Sequence, residues 1–386
     1  MFAHLPFILK NALRNRRRSL LTVLSIAASL CLLGVLMAFY HVFFLEEPTE
    51  QQALRLWTRN RVSLANPLPL SYKQQIQQVP GVKHVGVFQW FGGSYKDARD
   101  PKNMFGRFAV DPDLLADLYP EYVVLADQRK AFQQERSACI VGDKLARRLG
   151  FRVGDRVQLV GDIFPVTLDL VVRGIYTAPR DNENLLFHFD YLNQSLRQGR
   201  MDFVSTFVIR AESQEAVPAI ARAVDERFRN STLQTKTETE KAFEVSFLAF
   251  LGNVKLFMFS ICAAVTFTIL LVSGNTMAMS VRERVREVGV LKTLGFTPGG
   301  IMGIIVGESV VVALAGGILG LGVTLLLTAI LRQMPSLFTD MSRIVLPFYM
   351  WGICLLVAVL IGLASSLAPA WGAARKTIVE ALRFTD

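Results

Sequence analysis

The 386-residue sequence contains no Gly-Lys pair, and so no G-x-x-x-x-G-K-[ST] phosphate cradle. Nucleotide hydrolysis of the P-loop kind is therefore not expected of these residues. Cysteine is scarce, with four in all. Cys31, Cys262 and Cys354 fall in apolar runs, while Cys139 stands alone in the middle of the chain. No C-x-x-C occurs, which argues against a zinc ribbon or a thioredoxin-like centre. Cys139 reads as a small buried hydrophobe. Histidine is equally rare, and His84 and His188 are isolated. No carboxylate pair, nucleophile elbow or metal-ligand spacing emerges, so no reactive group has a visible activating partner and no catalysis is expected. No metal or cofactor is expected on this chain.

Charge is also sparse, at 19% of residues, while 52% are hydrophobic. That is too apolar for an ordinary soluble protein and too polar for membrane spans alone. The net charge is +10, and its placement is uneven. The stretch from Leu45 to Ser246 holds 27 Lys and Arg against 26 Asp and Glu. Of the chain's 42 and 32, the flanks therefore keep 15 and 6. A basic excess beside apolar runs marks cytoplasmic membrane flanks rather than a nucleic-acid surface, so nucleic acid is not an expected partner.

Four runs reach the roughly 20 apolar residues that a span needs: Ser19–Phe44, Leu256–Met279, Ile301–Leu331 and Val345–Ala374. The first is too long for a signal-peptide core and offers no small-x-small cleavage site, so it reads as an uncleaved anchor. Lys10, Arg14, Arg16, Arg17 and Arg18 precede it. Arg282, Arg284, Arg286 and Lys292 lie between the second and third runs, and Arg375, Lys376 and Arg383 follow the fourth. The positive-inside rule puts all three segments in the cytoplasm and the insert of about 200 residues outside.

The insert alternates short helical and strand patterns. Helices are expected over Pro69–Val79, Asp111–Leu118 (with Asp111 as N-cap), Gly142–Leu149 and Glu212–Phe228. Strands are expected over Val82–Phe91, Val153–Gly161, Val166–Tyr176 and Thr206–Ile209. Thr49–Arg59 and Glu238–Phe257 lack breaker clusters and read as helices that extend spans one and two into a stalk.

Between spans two and three, Val281, Val285, Val288 and Leu291 recur at helical spacing, with Arg282, Glu283, Arg284, Arg286 and Glu287 opposite. Gly295 ends this helix, and Thr297-Pro298 starts the next. Pure lipid binding suits the bases but not the interleaved acids, whereas a partner protein's groove suits both. Glu308 is the single charge in the third run. A structural role is expected for it, since a relay needs a second ionisable group in the spans. Gly303-x-x-x-Gly307 and Gly316-x-x-x-Gly320 allow close helix approach, either within the chain or in a dimer.

Asn275, Arg282-x-Arg284, Arg286-Glu287-Val288-Gly289-Val290-Leu291-Lys292 and Leu294-Gly295 resemble the coupling segment of FtsX-like ABC permeases. Ala12 to Thr22, Gly307-Glu308 with Gly316-Gly317 and Gly320, and the tail from Ala373 to Arg383 are similar to other segments of that family. Val141-Gly142, Leu149-Gly150, Val153-Gly154-Asp155 and Val172-Arg173-Gly174-Ile175 resemble its MacB-like periplasmic core domain. Val288 and Val290 depart from the usual isoleucines, and Ile378 from a common proline.

The resemblance implies an α-helical membrane protein with four transmembrane helices and a mixed α/β extracytoplasmic domain inserted between helices one and two. Its parts would be an amphipathic lead over 1–18, a span over 19–44, the outer domain with flanking stalk helices over 45–246, stalk and second span over 247–279, and a coupling segment over 280–300. A span over 301–331, a short outer loop over 332–344, a span over 345–374 and a tail over 375–386 would complete it. It further implies a separate P-loop ABC ATPase that binds ATP and Mg and engages Arg282, Glu283, Arg284, Arg286, Glu287, Gly289, Lys292 and Gly295. A second permease copy and a membrane-fusion or adaptor protein are the other implied partners. The expected place is the bacterial cytoplasmic (inner) membrane, and the expected task is export or extraction of a hydrophobic or envelope-associated substrate. A signalling permease that activates an envelope hydrolase, and a membrane scaffold without an ATPase, are the competing readings.

Overall fold

A computed structural model describes residues 16–179, 182–196, 201–249, 253–283, 285–334, 341–375, 377 and 380. The expected N-terminal lead before Arg16, Arg284, and the tail beyond Arg375 apart from Thr377 and Glu380 lie outside the described residues. These residues form two compact units, one within 1–45, 252–332 and 344–386, the other within 46–251 and 333–343.

The outer unit contains helices α1 (Glu50–Ala53), α2 (Tyr72–Gln77), α3 (Leu115–Leu118), α4 (Ala126–Gln134), α5 (Asp143–Leu149), α6 (Phe189–Ser195), α7 (Val217–Arg227) and α8 (Glu240–Ala249). Its strands are β1 (Arg55–Asn60), β2 (Leu68–Pro69), β3 (Val82–Trp90), β4 (Gly93–Ser94), β5 (Gly106–Val110), β6 (Ala138–Gly142), β7 (Arg156–Gly161), β8 (Thr167–Tyr176), β9 (Asn184–His188), β10 (Phe203–Val204), β11 (Thr206–Ala211) and β12 (Thr235–Thr239). Ten of them make one mixed sheet in the order β12-β1-β11-β3-β5-β9-β6-β8-β7-β4, and β10 pairs with β2 apart from it. The β5–β9 and β6–β8 pairs are parallel and the other pairs antiparallel.

Side-chain alternation builds the sheet. In β7, Val157 and Leu159 are buried while Arg156 and Gln158 face water; β8 repeats the pattern with Leu168 and Leu170 against Thr167 and Asp169. Central β6 is buried along its whole length, as a strand covered on both faces must be. Leu56, Val87, Leu170, Phe187 and Phe207 belong to the larger apolar core, and Phe88, Ile140, Tyr176, Leu186 and Val208 to a second one.

Three sequence expectations fail here. The stretch Thr49–Arg59 is helical for a single turn, opened by a Thr49–Gln52 capping box, and then enters β1. Leu56 and Thr58 are fully buried, Trp57 stacks on Phe243 at 4.5 Å, and β1 is hydrogen-bonded to both β11 and β12. That ladder overrides the local helical tendency. Similarly, β12 occupies the chain up to Thr239, so the helix leading to the second span starts only at Glu240. Asp111 is not an N-cap either. Its carboxylate accepts the Val87 N–H and pairs with Lys73, both at 2.7 Å, and the helix is reduced to Leu115–Leu118.

Arg55, 1% exposed, ties the start of α8 to the sheet. Its guanidinium pairs with Glu121 at 2.5 Å and Glu240 at 2.7 Å, donates to the Leu118 carbonyl at 3.2 Å, and lies 4.4 Å from the Tyr119 ring centre. Burial alone would pull its pKa down, but Glu240, Tyr119 and Glu121 outweigh that and hold it above the ordinary arginine range. Arg107, by contrast, sits over Phe105 and donates to the Gly93 and Asn103 carbonyls, and burial pulls it down to about 10.

The membrane unit consists of span 1 (Arg16–Tyr40, continued as a π-helical turn over His41–Leu45), span 2 (Val254–Glu283), span 3 (Pro298–Leu331), span 4 (Phe348–Arg375) and a short loop helix (Val285–Thr293). Each span is long and apolar enough to cross a membrane. Ile26, Leu30 and Leu33 of span 1 share a core with Ile269, Ala313, Ala358 and Ile361.

Replacing Arg55 by Gln would strand Glu121 and Glu240 beside an uncharged amide. The expected cost is about 3 kcal/mol, or a melting midpoint lower by roughly 10 °C. Tryptophan-fluorescence melting of the detergent-solubilised chain measures it, and an unchanged midpoint contradicts the assignment.

Candidate functional site

The loop helix over Val285–Thr293 has two unlike faces. Val285, Val288 and Gly289 are buried, with Leu291 half-buried beside them; Val281, in the last turn of span 2, is half-buried too. The valine stripe legible in the sequence is thus the face turned into the bundle. Lys292 joins it, its Nζ donating to the Ala374 carbonyl of span 4 at 2.8 Å. A lysine on one of the last carbonyls of a helix also meets the negative end of the helix dipole.

The opposite face is open. Arg286 and Val290, the latter at 47%, are exposed on it, with Leu294 at 70% just past its end; Arg282 and Glu283, the last residues of span 2, are exposed as well. Arg286, Val290 and Leu294 follow at intervals of four, which places them along one line of the helix. Glu287 is half-buried at the border, and Arg284 is outside the described residues. Of the residues singled out from the sequence, Arg282, Glu283 and Arg286 therefore point outward, whereas Gly289 and Lys292 serve the helix's seat. The apolar members Val290 and Leu294 were missed as outward residues. Their offset of one from the valine stripe is the signal that would have found them.

Gly295 stops the helix in a left-handed conformation, φ +91°. The Gly295 N–H donates to the Lys292 carbonyl and the Phe296 N–H to the Leu291 carbonyl, both at 3.1 Å, as in glycine-closed helix ends. Thr297 then caps span 3, its hydroxyl accepting the Gly300 N–H at 3.2 Å, with Pro298 in the first turn. The loop helix is accordingly held by its buried face, by Lys292 and by a short turn.

Glu308 is buried in span 3. Next to it, Ser309 lies 3.5 Å from Ser365 of span 4, which in turn accepts from Ser273 of span 2 at 3.0 Å. The glycines divide. A Cβ on Gly316 would come 2.7 Å from Ile26, and one on Gly320 2.7 Å from the Ala27 carbonyl, so both pack against span 1 of the same chain. Gly303 faces open space and Gly307 is half-buried. Among the described residues no group of His, Cys, Asp or Glu could hold a metal. A hollow in the outer unit lined by Leu115, Tyr122, Val124, Phe132 and Ile140 holds about 10 Å³, room for one water and no substrate. The surface that stands out is thus an exposed helix face rather than a pocket.

Comparison with known families agrees with both units. The FtsX-like permease C-terminal family matches residues 257–378, and the MacB-like periplasmic core domain family matches residues 19–227, more than half of the chain. The chain belongs to this family: it is an ABC transporter permease of the FtsX and MacB type. An uncharacterized ABC transporter permease from Methanocaldococcus jannaschii is 25% identical over 98% of this chain and 97% of its own length. The macrolide export ATP-binding/permease protein MacB of Rhodopseudomonas palustris is 26% identical over 67% of this chain, which spans 38% of that longer protein. The extracellular domain of YknZ, a transporter of Gram-positive bacteria, covers 48% of this chain and 99% of the domain at 14% identity and a TM-score of 0.36.

Filling Gly320 with a methyl group forces spans 1 and 3 apart, at a cost of about 1–3 kcal/mol. The same change at open Gly303 has nothing to displace. Gly320→Ala is therefore expected to lower the temperature at which detergent-solubilised chain leaves its monodisperse size-exclusion peak, and Gly303→Ala is not. Equal behaviour of the two would remove the distinction.

Proposed function

We propose that this permease is the non-catalytic membrane subunit of an ABC transporter. It would convert ATP hydrolysis by a separate P-loop ATPase into motion of its outer domain. The observation that carries the reading is the two-faced loop helix: one side seated on the span bundle, the other offering Arg286, Val290 and Leu294, with Arg282 and Glu283 exposed at the end of span 2 just before it. An apolar strip flanked by charges of both signs suits a groove in a folded partner. The family membership supplies the class of that partner, an ABC ATPase, which would bind the ATP and Mg. Nucleotide-driven movement of the groove would displace the loop helix, and the Lys292–Ala374 bond gives it a direct connection to span 4.

In this reading the loop helix and both chain ends lie in the cytoplasm and the α/β domain lies outside, in the bacterial cytoplasmic membrane. The lysine and arginine bias of the flanks supports that orientation. The permease works as a pair of copies, as a homodimer or with a related chain, and hands a hydrophobic or envelope-associated substrate onward outside, with an adaptor protein where one exists. The scarcity of polar groups in the spans favours mechanical transmission over threading through an aqueous channel.

Removing the exposed face while keeping the seated one separates docking from folding. Arg286→Glu with Leu294→Asp is expected to cut the ATPase subunit co-purifying in mild detergent by about tenfold or more, since each loss at a docking centre costs 1–2 kcal/mol. The chain's own melting point should stay within a degree or two. Co-purification and ATP hydrolysis at wild-type levels in this variant would refute the docking surface.

A further inference from the structure

The stretch between spans 3 and 4 contains a short 3-10 turn, Met341–Arg343, that belongs to the outer unit. Arg343 is almost enclosed there, with its side chain 10% exposed. Its Nη2 and Nε donate to one carboxylate oxygen of Glu46 at 2.8 and 3.2 Å, and its Nη1 lies 3.4 Å from both carboxylate oxygens of Glu244. One guanidinium thus bridges two carboxylates 198 positions apart in the chain, since 244 less 46 is 198.

Chain connectivity gives the three residues their significance. Glu46 follows Leu45, the last residue of the span 1 helix. Glu244 lies in α8, ten residues before Val254 opens span 2. Arg343 stands five residues before Phe348 opens span 4. The places where the chain enters the outer unit from span 1, leaves it towards span 2 and leaves it towards span 4 are therefore joined through a single side chain. Arginine suits the task because its planar fork presents donors in two directions at once, which a lysine ammonium on a flexible stem does not reproduce. Two anions on one cation also hold each other in place, since withdrawing the guanidinium leaves Glu46 and Glu244 repelling.

We infer that Arg343 is a positioning residue that latches the span 3–span 4 loop to the segments that follow span 1 and lead to span 2, so that displacement of this loop carries Glu46 and Glu244 with it. The latch stands on the ion pairs themselves; its use in transmission rests on the coupling reading above. The loop is then a moving part, not a passive connection. The arrangement also accounts for Glu46 at the end of span 1. Its partner is one that the sequence does not suggest, because an arginine in a short outer loop looks like a solvated charge.

The test uses the full chain in lipid nanodiscs, with its co-purified ATPase, and hydrogen exchange of backbone amides as readout. Without nucleotide, Arg343→Gln is expected to speed exchange across 241–249 and 341–346 by roughly tenfold or more, as loss of a charged hydrogen-bond network allows. Arg343→Glu, which gathers three carboxylates, should exceed it. The double variant R343E/E244R restores one cation between two anions and should return exchange most of the way to wild type. Arg343→Lys, the mildest change, should fall between wild type and Arg343→Gln and keeps the test available if the reversed charge fails to fold. Exchange unchanged in Arg343→Gln and Arg343→Lys overturns the latch. With ATP added, wild type should show a change in outer-unit exchange that Arg343→Gln loses while its ATP hydrolysis continues. An undiminished ATP response in Arg343→Gln overturns the positioning role. A wild-type chain with no ATP response at all would overturn the coupling reading, and the nucleotide-free exchange would still decide the latch.

Discussion

A bilayer interior offers no partner to an unpaired amide or to a charge, and most of this permease follows from that constraint. Backbone groups within the spans must satisfy one another, so each crossing is a single long helix. Side-chain hydroxyls obey the same requirement: Ser260, Thr266, Thr268 and Thr276 each donate to the carbonyl four residues earlier in span 2, and Thr324 does so in span 3. With no hydrophobic drive to bring helices together in lipid, contact depends on shape. Gly316 and Gly320 let span 3 approach the span 1 backbone, Gly317 meets Ala358, and Gly362 meets Ala313.

Outside the hydrocarbon the constraint changes form. A charge can be buried if it is paired. Arg55 between Glu121 and Glu240, Arg59 against Glu238 and Arg148 against Glu183 are all arginine–carboxylate pairs in which neither partner is fully in water. Two of these carboxylates, Glu238 and Glu240, lie at the junction of β12 and α8, where the chain begins its return to the membrane unit. Such pairs contribute modestly to net stability because desolvation offsets most of the attraction. What they contribute is a fixed geometry at that junction, since a displaced guanidinium would leave a buried carboxylate uncompensated.

The same physics decides what was legible in the sequence. The four spans could be read because lipid imposes one rule on every residue for some twenty positions, and the observed helices start and stop within a few residues of the apolar runs. The outer unit could be read only in parts. Strands β7 and β8 alternate in a way that needs no knowledge of their neighbours, and they appear close to where they were expected. Residues Arg55–Asn60 carry no such signature. They are a strand because β11 and β12, distant in sequence, pair with them on both sides, and no local pattern contains that information. Asp111 misled for a related reason: a residue well suited to cap a helix is equally suited to accept the Val87 amide and meet Lys73. The glycine pairs were ambiguous because small-residue spacing reports that something comes close, not whether it belongs to the same chain.

The loop helix shows the limit at the level of single residues. Its charges identified it, yet charge alone does not separate the side chains that seat the helix from those that face outward. Lys292 and Arg286 are both basic and lie within two turns of each other, but one is spent on the Ala374 carbonyl and the other is exposed. The distinction matters mechanically. A helix held through Val285, Val288, Gly289 and Lys292 cannot roll on its seat without exposing three buried positions and breaking a bond to span 4. On the coupling reading proposed above, a force applied to Arg286, Val290 and Leu294 would move the helix with the spans beneath it instead of being lost in rotation. In that reading, burial of one face would give the opposite face its leverage, and a substitution on the seated side would weaken transmission even where docking is intact.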